Sequence, residues 1–80
     1  MPTVLRSGPY RLYFTSHDLP EPPHIHVDRD DQPAQFWLQP VTLARNVGFA
    51  SRELRTLSDL ISEHQRQFLE AWNEHLGRSR

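Results

Sequence analysis

Residues 21–27 read Glu21-Pro22-Pro23-His24-Ile25-His26-Val27 and set two imidazoles one residue apart in a segment that reads as a β-strand. Side chains at i and i+2 of a strand share a face, so His24 and His26 point one way while Ile25 and Val27 point the other. The two prolines upstream fix φ and bias the chain toward extended structure, which gives the pair a stiff lead-in. Imidazole titrates near neutrality and suits proton transfer, anion binding once protonated, or metal ligation when neutral. The residues alone leave these three chemistries open.

Metal ligation needs three or four convergent donors, and His17, His24 and His26 with Asp18 or Asp28 can supply them. A lone His-x-His is a weak signal of this kind, so neither a metal nor another cofactor is expected. The chain has no cysteine, which excludes disulfides, thiolate chemistry and Cys-type zinc sites. It also lacks a Gly-rich phosphate loop, a Gly-x-Ser-x-Gly elbow and a spaced carboxylate pair, so nucleotide hydrolysis and serine-type hydrolysis are poor fits. His64 and His75 lie on or beside the apolar stripe of a C-terminal helix and read as structural.

The elements that position the pair follow from periodicity. Residues 10–15 alternate and form a first strand, with Leu12 and Phe14 on one side and Arg11, Tyr13 and Thr15 on the other. Residues 16–23 are a proline-rich connection, and residues 24–28 form a second strand. A polar turn over Arg29-Asp30-Asp31-Gln32-Pro33 leads into a third strand at residues 34–38, closed by Pro40. Residues 41–44 read equally as a short fourth strand or a half-turn. Ser51 is the expected N-cap of a helix running to about Leu76, with Glu53 in its first turn and Gly77 after it. Leu54, Leu57, Ile61, Phe68, Trp72 and Leu76 lie on one stripe of it.

The pattern therefore predicts an α+β fold: a three- or four-stranded antiparallel sheet with one long C-terminal helix packed on one face. The whole chain, residues 1–80, is expected to form a single domain, with residues 1–8 a flexible or extended N-terminal segment. A helix of that length measures on the order of 35 Å, roughly twice a five- or six-residue strand, so part of it overhangs the sheet. Either it breaks near Glu63-His64-Gln65, or its Phe68, Trp72 and Leu76 half packs on another chain. The second alternative predicts a homodimer with Trp72 as its aromatic anchor.

If Leu12, Phe14, Ile25, Val27, Phe36 and Leu38 face the helix, then Arg11, Tyr13, His24, His26, Gln35 and Trp37 share the opposite face. Aromatic rings, an arginine and imidazoles on an open sheet provide what single-stranded RNA recognition uses. Overall charge is silent on this: the formal net charge is −1. All of the basic residues are arginine, which fits a bias in codon usage. At 36% hydrophobic residues the core is small, and a partner would stabilise it. No apolar run is long enough to span a bilayer, and a cytoplasmic protein is expected.

Taken together, Tyr10-Arg11-Leu12-Tyr13-Phe14, the Glu-Pro-Pro-His-Ile-His-Val run, Ala34-Gln35-Phe36-Trp37-Leu38, Gly48-Phe49 and Leu69-Glu70-Ala71-Trp72-Asn73-Glu74-His75 resemble the bacterial domain of unknown function 4160 family. The family motif maps onto Glu21, Pro22, Pro23, His24, His26 and Val27, and its aromatic third strand onto Phe36, Trp37 and Leu38. His17 matches no family position, and Gln35 stands where lysine is common. The resemblance implies a compact protein encoded beside a second small protein, in pairs that look like toxin–antitoxin modules. The sharper expectation is a toxin acting as a metal-independent ribonuclease. In it His24 and His26 share the general base and general acid roles, and Arg11 stabilises charge on the phosphorus. Tyr13, Trp37 and Glu21 would bind the RNA. The alternative is a non-catalytic module that docks a protein or nucleic acid through the histidine face. A His-ligated metalloprotein ranks third.

Overall fold

The computed structural model describes residues 3–15 and 21–78, with side chains through His75. Five strands precede two helices: β1 (Thr3–Ser7), β2 (Tyr10–Tyr13), β3 (His24–Arg29), β4 (Gln32–Leu38), β5 (Val41–Asn46), α1 (Ser51–Glu63) and α2 (Gln65–Arg78). The strands form one antiparallel sheet in chain order, each paired with its sequence neighbours. The α+β class stands, but the sheet has five strands instead of three or four.

Both additions lie at the edges. Part of the N-terminal segment is β1, which turns back onto β2 through Gly8-Pro9, with Ser7 opposite Tyr10. Gly8 sits at φ +56°, which glycine adopts without a Cβ clash, and proline fixes the next φ near −65°, so the dipeptide suits a two-residue hairpin. Residues 41–44 are strand, and β5 continues through Asn46. At the other end of β4, Asp30 takes φ +54° in the Asp30-Asp31 turn, a conformation that aspartate tolerates better than most residues.

The helical region breaks near residue 64, the first of the two alternatives that its excess length leaves. His64 closes α1 with φ −107°, and its backbone N–H is shared between Leu60 O at 3.3 Å and Ile61 O at 3.1 Å. The Gln65 side chain then donates from Nε2 to Leu38 O at 2.7 Å, which ties the start of α2 to the end of β4. Folded back in this way, α2 buries Phe68 (0% exposed) and Trp72 (3%) inside their own chain. This removes the exposed stripe on which the homodimer expectation rested; the Leu76 side chain lies outside the described residues. The N-cap is also shifted by one, to Ala50. Asn46 sets that entry by donating from Nδ2 to Phe49 O and accepting from Phe49 N–H. Gly48, at φ +93°, passes so close to Gln32 that a Cβ would overlap its amide.

The core is the one that alternation assigns. Leu12, Phe14, Ile25, Val27, Phe36 and Leu38 from the sheet meet Leu57, Ile61, Phe68 and Trp72 from the helices. A polar clamp fixes α1 at its first turn: Glu53 accepts from Tyr10 Oη at 2.8 Å and pairs with Arg29 Nε at 2.6 Å. Phe49 stacks on Tyr10 and lies under the Arg29 guanidinium. Burial, the hydrogen bond to Glu53 and its negative charge, in that order, raise the Tyr10 pKa above the ordinary phenol value. The folded state therefore holds this proton more tightly than the unfolded chain. The stabilisation is present below the unfolded pKa and is lost as pH rises through the folded one. In Glu53→Gln the tyrosinate absorbance of Tyr10 should appear at lower pH than in the parent. An unchanged titration would show that the carboxylate does not act on it.

Candidate nucleic-acid interface

Directly paired residues of antiparallel strands share a face, so the register defines rows across the surface away from the core. One row runs Thr3, Tyr13, His26, Gln35, Arg45 across all five strands. A second runs Arg6, Arg11, Asp28, Pro33, and a third runs His24, Trp37, Thr42. Arg11, Tyr13, His26, Gln35 and Trp37 are half-buried on this face, and Arg6, Thr42 and Arg45 are exposed.

Part of the face is pre-assembled. Tyr13 and His26 stack with centroids 5.2 Å apart and planes 20° off parallel. The Arg11 guanidinium carbon lies 4.6 Å from the Tyr13 ring centroid, within cation–π range. Arg11 Nε donates to Thr3 Oγ1 at 2.9 Å, and Tyr13 Oη donates to Asp28 Oδ1 at 3.2 Å. These bonds hold both flat groups in place before any ligand arrives, which lowers the ordering cost of binding.

His24 departs from expectation. It shares the face of His26 but is 0% exposed. Its ring lies 5.6 Å from Trp37, 5.2 Å from Trp72 and 5.2 Å from His26. His24 opens β3 at the edge of the region where Trp72 arrives from α2, so two indoles close over a ring that alternation alone leaves open. Its Nδ1 is 2.9 Å from Pro22 O. A carbonyl only accepts, so Nδ1 carries the hydrogen and the diproline lead-in fixes the tautomer. Ile25 and Val27 are buried against the helices as expected.

Glu21 is exposed just ahead of β3. His64 stacks on Phe68, and His75 lies 3.1 Å from Thr15 O and stacks on Phe14, so both serve packing. Among the described residues no three His, Asp or Glu side chains converge as metal ligands, while His17 and Asp18 lie outside them. No helix is long and apolar enough to cross a membrane.

Sequence reasoning missed Arg6, Asp28 and Arg45 as members of this face. Arg45 is hidden by a register shift between Gln35 and Phe36, which leaves Ala44 unopposed and turns Arg45 to the side of Gln35. A hollow of about 230 Å³ opens beside it, lined by His26, Pro33, Ala34, Gln35 and Arg45. A larger one of about 300 Å³ lies between β1 and α2, lined by Thr3, Val4, Phe14 and Glu74 among others.

The family model described as Domain of unknown function (DUF4160) matches residues 10–73, which is 64 of the 80 residues. The chain belongs to this family. The match spans β2 through β5, α1 and α2 past Trp72, so it includes the histidine strand and the helix that covers His24. No curated protein and no solved structure matches the chain. The description of the DUF4160 family names no chemistry, and a functional reading has to come from the sheet face.

Proposed function

We propose that the chain binds single-stranded RNA on the sheet face away from the helices, as one member of a toxin–antitoxin-like pair. The observation that carries the RNA reading is the ordered column of Arg11, Tyr13 and His26 beside the half-exposed Trp37. Flat rings and guanidinium planes at the spacing of strands are sequence-tolerant stacking surfaces for unpaired bases. The charge agrees. Among the described residues, Arg6, Arg11 and Arg45 share this face with one carboxylate, Asp28, in a chain whose net charge is −1. Placement in a two-protein pair rests on the family resemblance.

The ribonuclease form of this reading is disfavoured by the burial of His24. A general acid and a general base must each come within hydrogen-bond reach of the reacting oxygens. His26 is half-exposed, but His24 has no exposed surface and is held by Pro22 O. We therefore assign His26 to RNA contact and His24 to support behind it.

Fluorescence anisotropy with a short labelled RNA of mixed sequence tests the proposal. Trp37→Ala should weaken binding about tenfold, within the range for loss of one stacked base. With about three phosphates neutralised, log affinity should fall with log salt at a slope near −2. A folded protein that binds no RNA at low salt would reject the reading. The pair is tested separately: if a small protein is encoded beside the chain, expression of one of the two alone should arrest growth and co-expression of the other should restore it.

A further inference from the structure

The hollow beside Arg45 has the dimensions and the groups of a site for one base. Resting on the RNA reading above, we propose that His26, Gln35 and Arg45 form a subsite that takes a single unpaired adenine. The three residues stand side by side on β3, β4 and β5. Neighbouring strands are about 4.8 Å apart, so the His26 and Arg45 side chains rise roughly 10 Å from each other with Gln35 between them. That gap is about two stacking distances and admits one planar ring between imidazole and guanidinium. The hollow, of about 230 Å³, has room for one planar ring system.

Stacking alone would not choose a base; Gln35 supplies the choice. The Gln35 side chain lines the hollow, and its amide carries one donor group and one acceptor side by side. Adenine offers the matching edge, an N6 donor beside an N7 acceptor, the usual bidentate partner of glutamine. Arg45 has no carboxylate partner among the described residues and can cover the exposed side of the ring. On the opposite side, the Tyr13 ring already backs His26, so the bound base extends an existing stack to Tyr13, His26, adenine and Arg45.

The test uses labelled homopolymers about a dozen nucleotides long, measured by anisotropy on the full chain. The parent protein should bind oligo-A about fivefold more tightly than oligo-U or oligo-C, the low end expected for one bidentate pair at a half-open site. Gln35→Ala should abolish that preference by weakening oligo-A more than oligo-U, and Arg45→Ala should weaken oligo-A most. In the parent protein, adding adenosine 5′-monophosphate should shift the Gln35 side-chain amide resonances. Equal affinity for all homopolymers, or a Gln35→Ala loss that is the same for each, overturns the subsite. If Trp37→Ala still weakens binding in that case, the wider RNA reading survives. Binding to none of the homopolymers rejects both.

Discussion

Trp72→Ala should cost the chain about half of its folding stability. The indole is 3% exposed, meets Phe14 edge-on at 5.3 Å and lies 5.2 Å from His24. Truncating a buried tryptophan to alanine costs about 3–5 kcal/mol, from lost transfer energy and the cavity left behind. A chain of this size has a total stability of roughly 4–12 kcal/mol, so the loss is of the same order as the whole. Far-ultraviolet circular dichroism and urea denaturation provide the measurement. Had Trp72 been the anchor of a homodimer, its removal would instead lower association and leave each chain folded. A variant with the parent's urea midpoint would restore that view.

The second large effect separates the two histidines. His24→Ala empties a fully enclosed position and removes the Nδ1 bond to Pro22 O, and it should destabilise the chain by about 2–4 kcal/mol. His26→Ala truncates a half-exposed ring and should stay within about 1 kcal/mol of the parent. It should nevertheless weaken RNA binding several-fold, because it removes one plane of the stack with Tyr13. A catalytic pair would behave differently: either substitution would cost at least about a hundredfold in cleavage rate, in chelator as well as in buffer. Equal, large losses of RNA cleavage in two well-folded variants would reinstate the acid–base mechanism.

Alternation over residues 10–15, 24–28 and 34–38 was enough to name both faces of the three central strands. Those strands are buried on one side only, which makes period 2 a direct record of the packing. The edges follow weaker rules. In β1 the register shifts between Thr3 and Leu5, and in β5 it shifts opposite Gln35, so neither strand shows clean alternation. β5 is also largely exposed and leaves no apolar trace of its pairing. Helix length left two outcomes, a break near residue 64 or a second chain covering the overhanging half, and the structure takes the break. The burial of His24 was not legible. Alternation tells which side a residue faces, whereas its cover comes from Trp72, 48 positions later in the chain, and depends on where α2 goes after the break.

The order of the elements has a consequence for synthesis. Every strand pairs with its immediate neighbour in the chain, so the sheet can zip up from the N-terminus as translation proceeds. Its apolar side has no cover at that stage, since α1 and α2 occupy residues 51–78 and Phe68 and Trp72 emerge after every strand. At elongation rates of about 5–20 residues per second, those 28 residues take a few seconds to make. For that interval each nascent chain presents Leu12, Ile25 and Phe36 on an open greasy surface, which is the kind of surface that chaperones and proteases at the ribosome compete to reach.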